Sequence, residues 1–262
     1  MMFNRSQAID FILSIYQTLQ RQDQLSPENE TVTKCLNEFV GFLSVVYQES
    51  WAADLPDAPE LVEVAANLPV LCGIAECKME KWWCRHFLSK RGLTYADLAS
   101  FQYFDSYRSL IEGEVYLLGT AIRDCVIFLG SGALPLTAIV LAELIPNFRI
   151  RCIDKDAEAC ALASALIRRL GLDSVIAIER GMAEEVDFRP EGVVVCASLL
   201  NAPSIYSVLQ KQLVRTVIVR DVEGVFRFCY REARRPPETY RASSQTACSS
   251  SRINISRLYI LG

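Results

Sequence analysis

The chain has 262 residues, of which 51% are hydrophobic and 22% charged, and its net charge is −4. This balance is typical of a folded globular protein and argues against disorder. Phosphate contacts need clustered Lys and Arg, and the sequence has no basic run that would cover one face, so nucleic-acid binding is not expected. A membrane-spanning helix is not expected either, because no stretch of about 18 consecutive apolar residues occurs.

Residues 1–118 predict an all-helical N-terminal domain. Apolar residues recur there at the spacing of a helix over 11–19 and again over 36–46. Further helices are expected over 61–87, 94–99 and 103–118.

Two proline-containing segments interrupt this helical part. Ser26–Pro27–Glu28 offers serine as a cap and proline in the first turn, which predicts a helix start. Leu55–Pro56–Asp57–Ala58–Pro59 is typical of a linker. The N-terminal stretch carries Asp10 among its apolar residues and lacks a small-residue cleavage site. We therefore interpret it as an amphipathic helix and not as a signal peptide.

The ten cysteines are interpreted as reduced, buried thiols of a cytoplasmic protein. No Cys-x-x-Cys pair occurs, and Cys125, Cys152 and Cys196 lie in apolar runs where cysteine acts as a small hydrophobe. A second group of possible metal ligands consists of Cys72, Cys77, Cys84 and His86. Its spacing matches no common structural-zinc pattern, so no metal site is predicted.

Residues 119–262 predict a sheet domain. Short apolar runs, typical of strands buried on both faces, occupy 125–129, 149–153, 175–178, 193–196 and 216–219. Helical segments separate them at 136–145, 157–170, near 182–186, and at 203–214. This alternation predicts right-handed βαβ units and a parallel sheet, so the fold class is α/β and Rossmann-like. The alternating segment Ile253–Ile260 predicts a final antiparallel edge strand.

The strongest local signal is the glycine turn Gly130–Ser131–Gly132, which joins the first strand to a helix. Glycines let the backbone turn sharply and let a ligand approach the amides. Pro135 replaces the third glycine of the dinucleotide fingerprint, which weakens NAD or FAD binding. The turn suits S-adenosylmethionine equally well, because that molecule has no pyrophosphate to hold.

Asp154 ends the second strand, 24 residues after Gly130. An acid at that place can accept hydrogen bonds from both ribose hydroxyls of a nucleoside. The alternative is that Asp154 only caps the following helix, although Asp156 is the better cap.

The loops after the third and fourth strands complete the expected nucleoside site, because ligands bind at the carboxyl ends of parallel strands. Met182 and Ala183 are placed to contact adenine, and Glu184 to accept its exocyclic amine; a solvated acidic helix start explains the same residues equally well. Ala197 and Ser198 follow the fourth strand. The acid-Pro-Pro-aromatic motif of many methyltransferases is missing there, which argues against methyl transfer of that style.

Several separated segments resemble the nicotianamine synthases and their bacterial relatives that make opine-type metallophores. The glycine turn and its tail, Val126–Thr137, resemble the family's GSGPLPLT, and Leu71–Lys81 resembles its LC-x-x-AE-x-x-x-EK helix. Phe101–Tyr107 resembles an FPYYxNY segment, Arg220–Tyr230 an R-x-x-x-G…F-x-Y strand, and Ile253–Asn254 a late V-I-N-S strand. The resemblance covers about 71–260. Three positions depart from the family pattern, namely Gln102, Phe104 and Ala133.

The resemblance implies transfer of the 3-amino-3-carboxypropyl (2-aminobutanoyl) group of S-adenosylmethionine to an amine, with release of 5′-methylthioadenosine. Glu80 is the first choice for the base that deprotonates this amine, with Glu76 one helical turn away and Tyr107 as the partner of Glu80. Tyr103 and Arg220 are expected to bind substrate; a surface pair with Asp221 would be the structural alternative for Arg220. The residues expected to bind the adenosyl donor are Gly130, Ser131, Gly132, Leu134, Pro135, Thr137, Asp154, Met182, Ala183, Ala197 and Ser198.

Within the family, the short bacterial-style chain favours a single transfer to histidine in the biosynthesis of an opine-type metallophore, upstream of an opine-type dehydrogenase. Repeated condensation of S-adenosylmethionine, as in the nicotianamine synthases proper, is the alternative. Two other classes of protein are left open. One is a methyltransferase that uses the same sheet, and the other is a non-enzymatic scaffold in which the glycine turn is vestigial. The sequence leaves a homodimer open as well.

Overall fold

A computed structural model describes residues 3–119, 125–146, 148–188, 192–200, 202–246 and 253–262. The described helices are α1 (Arg5–Gln20), α2 (Glu30–Val46), α3 (Val62–Ser89), α4 (Phe104–Leu118), α5 (Leu136–Leu144), α6 (Ala157–Arg169) and α7 (Ile205–Lys211). The strands are β1 (Cys125–Leu129), β2 (Arg149–Asp154), β3 (Ile176–Arg180), β4 (Val193–Cys196), β5 (Thr216–Asp221), β6 (Tyr240–Gln245) and β7 (Ile255–Leu261). Short 3-10 helices lie at Leu55–Asp57, Pro59–Leu61, Tyr95–Ser100, Ala183–Glu185 and Gly224–Phe228.

The helices of the N-terminal part begin and end largely where the apolar periodicity predicts, with one correction at α2. The predicted start at Ser26 is wrong, because Asn29 is the N-cap and its side-chain oxygen accepts from the amides of Thr31 and Val32. The predicted linker folds into two 3-10 turns, whose buried residues are Leu55, Pro56 and Leu61. α3 is a single helix of 28 residues that contains Pro69, so one rigid element carries both Glu76 and Glu80.

The seven strands form one sheet in the order β3-β2-β1-β4-β5-β7-β6, and β1 to β5 are parallel. β7 is antiparallel to β5, but its predicted edge position is wrong, because β6 pairs with its other side. Sequence reasoning missed β6, whose polar residues are mostly exposed and lack an apolar alternation. The predicted strand over 220–230 is also wrong beyond Asp221, where a 3-10 helix follows.

Both faces of the sheet are covered, as its apolar strands require. Val126 and Phe128 of β1 pack under α3, α4, α5 and α6, whereas Ile127 and Leu129 pack with α7 on the opposite face. A third cluster joins α1, α2 and the first half of α3 to residues 222–229. Packing therefore crosses the boundary predicted at residue 118, next to which residues 120–124 lie outside the described part.

No helix among the described residues is long and apolar enough to cross a membrane. Six cysteines of the described chain are buried free thiols, whereas Cys77 is exposed and Cys248 lies outside the described residues. The six are Cys35, Cys84, Cys152, Cys160, Cys196 and Cys229.

Candidate active site

A cleft opens at the carboxyl ends of the neighbouring strands β1 and β4. The helices that follow these two strands, α5 and α7, lie on opposite faces of the sheet. Such a switch point is the usual ligand site of an open α/β sheet. Its floor consists of the glycine turn and the loops after β2, β3 and β4, and its roof consists of α3 and α4. We call this space the sheet-edge cleft. Ten of the eleven residues predicted to bind the donor line it: Gly130, Ser131, Gly132, Leu134, Thr137, Asp154, Met182, Ala183, Ala197 and Ser198.

Pro135 is the exception, and its predicted contact with the donor stays a prediction. Pro135 is buried and does not line the sheet-edge cleft. It precedes α5, and its carbonyl oxygen accepts from the amide of Ile139 at 3.1 Å. Its fixed backbone therefore helps to start the helix that follows the glycine turn.

The glycine turn is held by Asp154. Gly130 and Gly132 both have positive φ, +75° and +68°, in the left-handed region that favours glycine. The amide of Gly132 donates to Asp154 Oδ2 at 2.8 Å, and the amide of Asp156 donates to Oδ1 at 2.9 Å. Asp154 does not cap α6, because Asp156 receives the amides of Glu158 and Ala159. A carboxylate has about four acceptor sites, so Asp154 retains capacity for a ligand hydroxyl.

Glu80 reaches from α3 down to this turn. Its Oε2 accepts from the amide of Ala133 at 3.1 Å, and a Cβ built on Gly132 would lie 2.0 Å from the same oxygen. Gly132 is therefore required both by its own backbone and by the carboxylate above it. Burial raises the pKa of Glu80 well above its usual range, the charge of Glu76 acts in the same direction, and the backbone hydrogen bond from Ala133 opposes both.

Glu76 lies one turn earlier on α3 and is surrounded by tyrosines. The hydroxyl of Tyr107 donates to its Oε1 at 3.2 Å, and Tyr230 also donates to this carboxylate. In the structure the hydroxyl of Tyr107 therefore bonds to Glu76 and not to its expected partner Glu80, and its role at the amine stays a prediction. Burial raises the pKa of Glu76, while the two tyrosine hydrogen bonds and Arg220 lower it, so the tyrosines stabilise its ionised form.

Arg220 is buried at the end of β5 and pairs with Glu114 of α4. Its Nε and Nη2 donate to the two carboxylate oxygens at 2.8 and 2.9 Å, and Ser256 donates to Glu114 at 2.6 Å. The alternative of a surface pair with Asp221 is wrong, since Asp221 pairs with Arg257. Arg220 still lines the sheet-edge cleft, but Glu114 already occupies two of its three nitrogens.

A second cavity adjoins the cleft, and we call it the apolar pocket. It lies among α2, α3, α4 and the segments at 229–230 and 253–254, and residues such as Leu36, Phe39 and Met79 line it. The predicted substrate residue Tyr103 also lines it, with its hydroxyl donating to Asn37 at 3.2 Å. Three residues line both cavities, and we call them the passage residues: Glu76, Tyr107 and Asn254.

Three buried polar atoms around the sheet-edge cleft have no hydrogen-bond partner within the described part of the chain. They are Ser131 Oγ, Ser198 Oγ and Asn254 Oδ1. Buried polar groups are normally satisfied, so this cluster points to a polar ligand. Sequence reasoning did not single out Asn254 or Tyr230, although both stand at the ends of segments that carried the family resemblance. No group of three metal-binding side chains occurs among the described residues.

Comparison with known proteins agrees with this architecture. A protein-family model described as "Nicotianamine synthase protein" matches residues 3–189. The L-histidine 2-aminobutanoyltransferase of Pseudomonas aeruginosa is 29% identical over 179 residues, covering 67% of this chain and 65% of the relative. The nicotianamine synthase of Solanum lycopersicum is 28% identical over 178 residues, covering 63% and 51%. The chain thus spans between about half and two thirds of the length of these relatives.

Solved structures show the same fold over nearly the whole chain. The crystal structure of MtNAS in complex with MTA and tNA superposes with a TM-score of 0.82 at 17% identity and covers 100% of both chains. A variant of MtNAS in complex with S-adenosylmethionine gives a TM-score of 0.80 at 19% identity, covering 97% of this chain and 98% of that one. The predicted α/β, Rossmann-like fold is confirmed.

Proposed function

The chain belongs to the nicotianamine synthase family, and from this we propose that it is a transferase that uses S-adenosylmethionine as co-substrate. The co-substrate supplies an electrophilic 3-amino-3-carboxypropyl group, whose transfer releases 5′-methylthioadenosine. The observation that carries the proposal is the pair of acids on α3: Glu80 lines the sheet-edge cleft, and Glu76, one turn away, lines both the cleft and the apolar pocket. A methyl donor site alone would not need two half-buried carboxylates beside the passage to a second cavity.

The sheet-edge cleft fits the adenosyl half of this co-substrate. Asp154 offers carboxylate oxygens for ribose hydroxyls, and the hydroxyls of Ser131 and Ser198 lack partners within the described chain. Met182, 45% exposed at the cleft mouth, offers an apolar contact for adenine. All of these groups lie on the loops at the carboxyl ends of the strands, as in other nucleoside sites of this fold class.

We assign removal of the amine proton to Glu80. An attacking amine must lose a proton, because an ammonium group has no lone pair. Burial raises the pKa of Glu80 above its usual range, which strengthens its carboxylate as a proton acceptor. Burial raises the pKa of Glu76, and the hydrogen bonds from two tyrosine hydroxyls offset part of that rise. We assign to its carboxylate the positioning of the incoming amine group.

For the acceptor we propose histidine, in one transfer, which would give an opine-type metallophore precursor for a downstream opine-type dehydrogenase. The name of the Pseudomonas aeruginosa relative supports this choice, and the apolar pocket beside the passage residues leaves room for a ring. Repeated condensation of S-adenosylmethionine is the second candidate, supported by the name of the Solanum lycopersicum relative. We further propose that the protein works in the cytoplasm, and a homodimer stays an open prediction.

The test is incubation with S-adenosylmethionine and either L- or D-histidine, followed by mass spectrometry. We expect a histidine adduct heavier by one aminobutanoyl unit, together with 5′-methylthioadenosine. An adduct that forms equally well without histidine would establish repeated condensation. S-adenosylhomocysteine as the sole nucleoside product would overturn the proposed transfer.

A further inference from the structure

Asn254 has no role in the transfer as described so far, yet it stands at the passage between the two cavities. Its Oδ1 is buried and has no hydrogen-bond partner among the described residues. It lines both the sheet-edge cleft and the apolar pocket, a property that it shares with Glu76 and Tyr107. A buried amide oxygen left without a partner costs about 1–3 kcal/mol, so its placement calls for a ligand donor.

The position of Asn254 is fixed by the sheet. It directly precedes β7, in which Ile255 pairs with Asp221 and Ser256 pairs with Arg220. The Ser256 hydroxyl donates to the buried Glu114 at 2.6 Å, and the Ser256 amide donates to Thr246 Oγ1 at 2.9 Å. These bonds hold the backbone two residues from Asn254, so its amide is a fixed group and not a free surface side chain.

We propose that Asn254 Oδ1 accepts an N–H of the attacking amine and thereby orients its lone pair toward the sheet-edge cleft. This inference rests on the proposed transfer. The reacting nitrogen must lie in the passage, because it attacks a carbon in the cleft while the rest of the acceptor occupies the apolar pocket. All three passage residues carry side-chain oxygen atoms, and an N–H group is what oxygen acceptors bind.

The chemistry needs two acceptors besides the base. When the ammonium group gives one proton to the Glu80 carboxylate, two N–H groups and a lone pair remain. Tyr107 Oη, whose own hydrogen points to Glu76, can accept one N–H, and Asn254 Oδ1 can accept the other. With both N–H groups held, the lone pair points in a single direction, toward the carbon that it attacks. As the N–C bond forms, the electron pair of the C–S bond leaves with the sulfur. Asn254 is thus a specificity-determining contact for primary amines.

The test compares Asn254→Leu, which has a similar volume and no acceptor, with Asn254→Asp, which keeps an accepting oxygen. We expect Asn254→Leu to lower kcat/KM for the amine acceptor by about 10- to 100-fold, the loss of one hydrogen bond to a charged group. The kcat/KM of Asn254→Asp should be at least tenfold higher than that of Asn254→Leu. Binding of S-adenosylmethionine, measured by calorimetry, should change by less than about threefold in both variants, which also reports that they are folded.

Ser198→Ala is the matched control, because it also removes a buried, unpartnered polar atom of the cleft but one that does not line the apolar pocket. It should weaken S-adenosylmethionine binding and leave the acceptor KM unchanged. Equal kcat/KM in Asn254→Leu and Asn254→Asp, or wild-type values in Asn254→Leu, would overturn the inference. A wild-type protein that releases no 5′-methylthioadenosine with any amine would instead overturn the proposed function, so the two failures are distinguishable.

Discussion

The sheet-edge cleft and the apolar pocket share three residues but are built in different ways. The cleft is made mostly of backbone and short side chains on consecutive strand ends, with the glycine turn held by Asp154. The apolar pocket is made of side chains from α2, α3 and α4 and from two segments near the C-terminus. The difference teaches that the proposed donor side is a local motif, whereas the proposed acceptor side exists only after distant segments pack together.

The largest effect should come from Glu80→Gln, which removes the proposed base but keeps an oxygen for the Ala133 amide. We expect transfer to fall by about 100- to 10,000-fold, the usual contribution of a general base. Binding of S-adenosylmethionine should persist, because the glycine turn and Asp154 are untouched. Release of 5′-methylthioadenosine, followed by chromatography, checks the first expectation, and calorimetry checks the second. Unchanged turnover would remove Glu80 from the mechanism.

The next effect concerns the buried ion pair between Glu114 and Arg220. Glu114→Gln leaves the buried Arg220 charge without its partner, and we expect the free energy of unfolding to fall by about 3–5 kcal/mol. Glu143→Gln is the matched control, since Glu143 pairs with Arg108 where both side chains are partly exposed and such pairs contribute about 0–1 kcal/mol. Urea unfolding curves of the two variants measure the contrast, and equal losses would contradict the buried role of Glu114.

A smaller effect on stability, but a large one on activity, is expected for Gly132→Ala. The new Cβ would lie 2.0 Å from Glu80 Oε2, so the carboxylate must move away. Gly92→Ala is the control: Gly92 has a similar φ, +63°, and open space around it. Both variants should lose about 1–2 kcal/mol of stability from the left-handed backbone. Only Gly132→Ala should also lose turnover; equal activity in both would show that the contact with Glu80 is dispensable.

The smallest effect is a pH-dependent change in stability. The folded-state pKa of Glu80 is raised, so its contribution favours the folded state below the unfolded pKa and is lost as pH rises through the folded pKa. Glu80→Gln should therefore gain thermal stability relative to wild type as pH rises above the usual glutamate pKa of 4.5. Glu143→Gln should instead be less stable than wild type at neutral pH, because the hydrogen bond from Arg108 lowers the pKa of Glu143 from its usual value of 4.5. This deficit should shrink only as pH falls below that usual value. Melting temperatures measured from acidic to neutral pH decide both signs.

The sequence could predict most of the donor side, because its signals are local. Gly130, Gly132 and Asp154 stand at fixed places after buried strands, and the structure brings them together at one sheet edge. Pro135 could not be placed in the same way, since whether a residue faces the cleft or the start of α5 depends on the turn geometry.

The acceptor side depended on long-range packing that no local pattern encodes. Glu76 and Tyr107 meet across α3 and α4, and Tyr230 joins them from a segment more than a hundred residues away. Nothing in the sequence indicates that Arg220 would pair with Glu114 rather than Asp221, because that choice follows from the burial of both side chains in the folded chain. The polar strand β6 was missed for a related reason: it is defined by pairing with β7 and not by its own pattern.

The most direct test of the proposed transfer follows two isotopic labels from one co-substrate. S-adenosylmethionine labelled separately in its methyl group and in its methionine carboxyl group is incubated with the protein and histidine, and the products are resolved by mass spectrometry. Transfer of the 3-amino-3-carboxypropyl group predicts that the carboxyl label enters the histidine adduct while the methyl label leaves in 5′-methylthioadenosine, in equal amounts. A methyl label in the histidine product, with S-adenosylhomocysteine as the nucleoside, would contradict it.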